Sequence, residues 1–142
     1  MDVSNIRSWC EEIDALLVRC ETRQNPTDGH ARAIVRQLHS ILSRAPDNVK
    51  PHLGPCFEDS GLESLLELGA LETILFRITR SVGLMISRAP SGRAIATVSV
   101  PDLNIECSFS SESSLGVAMA GAIASAALEL LEGAPDPHIR IV

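Results

Sequence analysis

The stretch of sequence that decides the fold is SSLGVAMAGAIASAAL, residues 113–128, which contains no charged side chain. Gly116, Ala120 and Ala124 recur there every four residues, so a helix places them on one face. A face without bulky side chains can lie close to the element it covers. We therefore expect a packing helix near the C-terminus that ends before Gly133, with these three residues facing a sheet.

The sheet is predicted immediately before this helix, where the hydrophobic period changes from that of a helix to two. Alternating residues predict three strands, within 84–88, 94–100 and 105–109. Their connectors, APSG (89–92) and PDLN (101–104), contain residues that tight turns favour, which indicates an antiparallel meander. Ser110 or Ser111 is expected to cap the helix that follows.

The N-terminal region predicts two amphipathic helices. Apolar residues recur every three or four positions in the first, and the segment QNPTDG (24–29) breaks it. A second stripe runs from Ala31 to Ala45 and stops at Pro46. Two helices with a short break between them predict an antiparallel helical hairpin.

The middle of the chain predicts a connector and further helix. Residues 47–59 contain two prolines and a glycine, and Ser60 and Glu63 then have the spacing of a capping box. The pattern favours helix from there to residue 82, interrupted at Gly69, although Ile74 and Ile78 also fit the alternation of a strand.

These elements define an α+β fold with three parts. We expect an N-terminal helical hairpin over residues 1–46, a connector over 47–59 and an α+β unit over 60–142, together forming one compact domain. The Ala-rich helix covers one face of the three-stranded meander. The preceding helices are expected at the edge of the sheet or on its second face.

Part of the α+β unit resembles a known class of proteins. The segments RAPSGRAIATVSVPD (88–102) and SSESSLGVAMAGAIASAALELL (110–131) are similar to those of small phage and prophage accessory proteins. The resemblance covers residues 71–131 and implies a three-stranded alpha-beta-alpha sandwich. The tryptophan that this class usually has in its first strand is missing here.

The composition disfavours several classes of function. The net charge of −6 repels phosphate backbones, and only 3% of the residues are aromatic, so nucleic-acid binding is not expected. The uncharged run is short and poor in large apolar residues, which argues against a membrane span. The four cysteines follow no metal-binding spacing, and with no leader pattern they indicate a cytoplasmic protein with reduced thiols.

Candidate catalytic and metal-binding groups are few. His52 and Cys56 stand four residues apart, but Pro55 disrupts the helical turn that would join them. His30 and His39 lie nine apart, which does not suit joint ligation of a metal. Serines between 108 and 114 are expected to cap a helix rather than bind an anion. We therefore predict no catalytic residue, cofactor or metal.

One local cluster of positive charge stands out in this acidic chain. Arg77, Arg80, Arg88 and Arg93 flank the first predicted strand and its turn. They are interpreted as solvated side chains, with a small basic patch for a carboxylate-bearing partner as the alternative.

The N-terminal helix is predicted to carry the interaction surface, because its apolar stripe is wider than one short partner helix covers. The residues named for this surface are Ile6, Trp9, Ile13, Leu16 and Leu17. They predict a homodimer through residues 3–45, or binding of a foreign protein to the same surface.

The resulting hypothesis is a small, non-catalytic protein-interaction module, of phage or mobile-element type. One alternative is an acidic inhibitor that imitates nucleic acid and blocks a host nuclease or defence protein. The acids it would use are Glu11, Glu12, Asp14 and Glu21, with Glu58, Asp59 and Glu63. A second alternative is an enzyme with an unrecognised site.

Overall fold

The computed structural model describes residues 3–21, 28–54, 58–112 and 114–132 of the chain. Within them, helices and strands follow the predicted order. They are α1 (Val3–Glu21), α2 (Asp28–Ser43), α3 (Asp59–Glu67), α4 (Leu71–Ile78), β1 (Gly83–Arg88), β2 (Ala94–Val100), β3 (Ile105–Ser111) and α5 (Leu115–Leu131), with a 3-10 turn at Pro101–Leu103. The α+β prediction is therefore confirmed.

The three strands form the predicted antiparallel meander in the order β1-β2-β3. Ile86 pairs with Ala96 and Val98 pairs with Cys107, so the even residues of β1 and β2 share a face with the odd residues of β3. This face is buried along β2, where Ala94, Ala96, Val98 and Val100 alternate with more exposed residues. The opposite face, called here the open face, contains Met85, Ser87, Ile95, Thr97, Ser99, Glu106, Ser108 and Ser110.

Helix α5 lies at the centre of the molecule. It packs against β2 and β3 on one side and against α1, α2 and α4 on the other. Because it is enclosed in this way, residues on every side of it are buried, as its uncharged sequence requires. The prediction that α5 covers the sheet is confirmed.

The position of the other helices differs from the expectation. They pack mainly on the far side of α5, not at the edge of the sheet or on its second face. Among the described residues, the layers are therefore sheet, α5 and outer helices, rather than the alpha-beta-alpha order that the resemblance implied. The apolar surface of α5 explains this, since it offers the outer helices a partner on the side away from the sheet.

The small residues of α5 are divided between its two sides. A side chain at Gly121 would overlap the ring of Phe109 on β3, so α5 and the sheet approach each other closely at Gly121. A Cβ at Gly116 would instead contact Leu71 of α4, 3.8 Å away. The prediction that Gly116 faces the sheet is therefore wrong, and it is corrected to a contact between helices.

Gly69 separates α3 from α4, as predicted. Its φ of +71° is a conformation that glycine adopts without strain. The amide of Gly69 donates to the Leu66 carbonyl at 3.1 Å and that of Ala70 to the Leu65 carbonyl at 2.9 Å, which closes α3 with a Schellman motif. Residues 71–78 are helical, which resolves the helix-or-strand alternative.

Two predicted helix caps are corrected. The hydroxyl of Ser114 caps α5, accepting from the Val117 amide at 3.2 Å, because β3 continues through Ser110 and Ser111 to pair with β2. Helix α3 begins at Asp59 without a side-chain cap, and the carboxylate of Glu63 binds Arg36 of α2 instead of closing a capping box.

The predicted hairpin of α1 and α2 forms, and its helices are joined by specific contacts. The indole of Trp9 donates to the Ile41 carbonyl at 2.8 Å in a buried hydrogen bond. Both carboxylate oxygens of Glu12 accept from the guanidinium of Arg44, at 2.7 and 3.1 Å. The hairpin is thus held by a buried and an exposed polar contact.

Residues 47–54 do more than connect the hairpin to α3. Val49 and Leu53 are fully buried in the common core. The side-chain amide of Asn48 donates to the carbonyls of Leu130 and Leu131, each at 2.9 Å. These carbonyls lie in the last turn of α5, where the helix leaves carbonyls in need of donors, so Asn48 closes the C-terminal end of α5.

Candidate functional site

The predicted interaction stripe on α1 lies mostly inside the protein. Trp9 is 2% exposed and Ile13 and Leu16 are fully buried, while Ile6 and Leu17 are half-buried. The expectation that this stripe remains a surface is wrong for the three buried residues, since α1 packs against α5 as well as α2. The homodimer through residues 3–45 remains a prediction.

An open groove of about 270 Å³ lies between α2 and α3. Its lining residues are Arg36, His39, Ser40, Ser43, Arg44, Leu62 and Glu63. Arg36 binds both oxygens of Glu63 at 2.9 Å, which lowers the pKa of that carboxyl. Arg44 is bound by Glu12, and the Ser43 hydroxyl donates to the His39 carbonyl at 2.8 Å. These groups are engaged with one another and join the helices.

Two of the described cysteines, Cys10 and Cys20, are not activated nucleophiles. Burial raises the pKa of the Cys20 thiol to about 12. Burial, followed by the nearby Asp14 carboxylate, raises the pKa of the Cys10 thiol. Both thiols therefore stay protonated at neutral pH. The candidate pair of His52 and Cys56 stays untested, because Cys56 lies outside the described residues.

The structure also bears on metal binding, membrane crossing and the acidic residues named for nucleic-acid mimicry. The described part of the chain contains no cluster of three or more His, Cys, Asp or Glu side chains arranged to hold a metal. In the same residues, no helix combines the length and apolar character needed to cross a bilayer. Glu12 and Glu63, two of the acids named for nucleic-acid mimicry, are each ion-paired with an arginine.

The outer edge of β1 is the exposed apolar region that best suits binding. β1 pairs only with β2 in the described sheet, and α5 packs on β2 and β3. Ile86, on the face that α5 covers elsewhere, is consequently 43% exposed, and Met85 is 72% exposed on the open face. Ile95 of β2, diagonal to Met85, is also 43% exposed. Met85, Ile86 and Ile95 are called the β1 surface below.

The hydrogen-bond pattern shows which backbone groups of β1 face outward. The amide of Ala89 donates to the Arg93 carbonyl at 2.8 Å, at the end of the hairpin. Pairs in an antiparallel ladder alternate between bonded and non-bonded, so Ser87, Met85 and Gly83 bond to β2. The N–H and C=O groups of Leu84, Ile86 and Arg88 therefore point to the free edge.

Positive charge surrounds this edge. Residues 73–101 contain four arginines and no acidic residue, in a chain whose net charge is −6. Arg80 precedes β1, Arg88 ends it and Arg93 follows the turn, and all three are exposed. None of them forms an ion pair with another described residue. Since six residues in a strand span about 17 Å, the two ends of β1 carry separate positive charges.

Sequence reasoning named these arginines but missed the β1 surface. The available signal was the run Leu84, Met85 and Ile86, where three consecutive apolar residues replace the alternation expected for a strand with one solvated face. Such a run places apolar side chains on both faces of an edge strand.

The comparisons with known proteins gave no match: no family model, no curated protein and no solved structure is significantly similar to this chain. The resemblance to phage accessory proteins thus stays a prediction.

Proposed function

We propose that this chain is a protein-interaction module that binds an extended segment of another protein along the free edge of β1. The observation that carries the proposal is an edge strand with outward backbone groups and apolar side chains exposed on both faces. An added strand would satisfy those backbone groups and cover the side chains, which is how sheet edges recognise extended peptides.

The geometry of β1 supports strand addition over binding of a helix or a small molecule. Leu84, Ile86 and Arg88 present their N–H and C=O groups at the regular spacing of every second residue. Met85 and Ile95 provide a contact on the open face, and Ile86 provides one on the other. A strand beside β1 is positioned to reach both contacts.

Within the described residues, β1 itself also lacks three features that protect a strand from pairing. Proteins blunt free edges with proline, bulges or charged side chains near the centre of the strand. β1 pairs with β2 continuously from Gly83 to Arg88, and its centre is Leu84, Met85 and Ile86. Its one charged residue stands at the end.

The charges near β1 favour a foreign segment over a second copy of β1. Antiparallel pairing of two β1 strands about a twofold axis would bring Arg88 of one copy beside the start of the other strand, which follows Arg80. Like charges in that arrangement repel. The occupant is therefore assigned to another protein.

A pair of variants at Ile86 tests the proposal. Ile86→Pro removes an N–H that points outward and therefore makes no bond to β2. Proline is tolerated at such edge positions. Ile86→Ala removes most of the same side chain but keeps the N–H. Peptides enriched from a displayed library on the wild-type chain are expected to bind Ile86→Ala within a few-fold and to lose binding to Ile86→Pro.

The readout is isothermal titration of the enriched peptides, with amide hydrogen exchange of the complex. Slower exchange at Leu84, Ile86 and Arg88 on peptide binding would support the proposal. Equal binding to Ile86→Pro and wild type, or failure to enrich any peptide, would overturn it. Circular dichroism of both variants verifies that the fold is retained.

A further inference from the structure

The arginines on either side of β1 indicate the charge of the segment that binds there. This inference rests on the proposed function, because it concerns the chemistry of the segment that binds there. Arg88 ends the strand, Arg93 lies across the turn from it, and Arg80 lies three residues before the strand begins. The backbone of the edge and its apolar centre accept many sequences, so side-chain charge is the feature that discriminates among partners.

We propose that the partner segment is an acidic strand, with carboxylates at both ends of an apolar centre. The carboxylates would pair with Arg88 and Arg93 at one end of β1 and with Arg80 at the other. The apolar centre would cover the β1 surface.

Two observations point to acidic rather than neutral ends. Residues 73–101 contain no Asp or Glu, so these arginines have no acidic neighbour in their own segment. By contrast, Arg36 of α2 and Arg44, which follows α2, are each bound bidentately by a carboxylate of this chain. Arg88 and Arg93 thus keep their capacity for a planar carboxylate, which is the ligand that arginine binds best. Arg80 engages one nitrogen, Nη1, with the Arg77 carbonyl at 3.0 Å.

The structure also supplies an internal contrast. The other outer strand, β3, exposes Glu106 on the open face, and Glu112 follows its end. An acidic segment would be repelled from the β3 edge and attracted to the β1 edge. The charge distribution therefore directs an acidic strand to one side of the sheet.

The test uses three synthetic peptides of equal length with the same alternating Thr and Val centre. They differ only in the pair of residues at each end, which is Glu, Gln or Lys. We expect the Glu peptide to bind wild type on the order of tenfold more tightly than the Gln peptide at low salt, since several exposed ion pairs each contribute a few-fold. The difference should shrink as salt is added.

A charge-matched pair of variants locates the effect. Arg88→Glu should weaken binding of the Glu peptide and strengthen binding of the Lys peptide. Arg7→Glu makes the same change in net charge at an exposed position of α1. It should leave the order of the three peptide affinities unchanged. If Arg7→Glu changed the order as much as Arg88→Glu does, net charge would explain the preference and the inference would fall.

The outcomes separate this inference from the proposed function. Equal binding of the three peptides, abolished by Ile86→Pro, would overturn the acidic preference while leaving strand addition in place. Binding of none of the peptides would count against both. Light scattering tests whether a second copy of this chain occupies the β1 edge. A molar mass that rises with concentration in wild type but not in Ile86→Pro would assign the edge to self-association and overturn the inference.

Discussion

The two outer strands of the sheet, β1 and β3, flank the same central strand but have different surroundings. Ile105 of β3 is 2% exposed, beneath α5, whereas Ile86 of β1 shares that face of the sheet and is far more open to solvent. The side chains that β3 exposes are polar or acidic, and those that β1 exposes at its centre are apolar. The sheet is wider than the helix that covers it, and a candidate binding edge remains where the cover ends.

The largest expected effect comes from making the same substitution on both strands. Ile105→Ala should lower the free energy of unfolding by about 2–5 kcal/mol, because it leaves a cavity beneath α5. Ile86→Ala should cost less than about 1 kcal/mol, since that side chain is already partly hydrated. Urea unfolding of the two variants measures the difference. Equal losses would show that β1 is covered as β3 is.

A second experiment examines why α5 can approach β3 so closely. Gly121→Ala places a methyl group against the Phe109 ring and should destabilise the protein by about 1–3 kcal/mol through overpacking. Adding Phe109→Leu should recover part of that loss, because the smaller side chain makes room. A double-mutant cycle by thermal unfolding reports the coupling. Simple additivity of the two losses would contradict the contact.

The smallest effect concerns the residue that closes the end of α5. Asn48→Ala should cost about 1 kcal/mol, because it removes the hydrogen bonds to the Leu130 and Leu131 carbonyls. Asp47→Ala, at the exposed neighbouring position, is the matched control and should change stability by less than about 0.5 kcal/mol. Equal unfolding midpoints for the two variants would rule out the capping role of Asn48.

Features set by local pattern were predictable from the sequence. The turn residues and the change of period placed β1, β2 and β3, and the run without charge placed α5 on the sheet. Gly69 marked the break between α3 and α4 because its positive φ is a local requirement. The cap of α5 was misplaced because β3 pairs with β2 as far as Ser111, and that pairing is a contact between strands.

Features set by distant contacts were not predictable in the same way. The stripe of Trp9, Ile13 and Leu16 was expected to remain a surface because α2 was the partner considered, and the cover provided by α5 comes from far along the chain. The β1 surface was missed for the complementary reason. Alternation shows which side chains face a helix, but not how many strands that helix spans.

The central position of α5 also bears on how the chain is made. α1, α2, α4, β2 and β3 all pack on a helix that follows them in sequence. On a ribosome they emerge before their shared partner, so the core is completed only when α5 leaves the exit tunnel. Contacts between such distant segments slow folding. Until then only α2 is present to cover the apolar stripe of α1, and α5 is missing. At this stage the nascent chain is most prone to aggregation and to binding by chaperones.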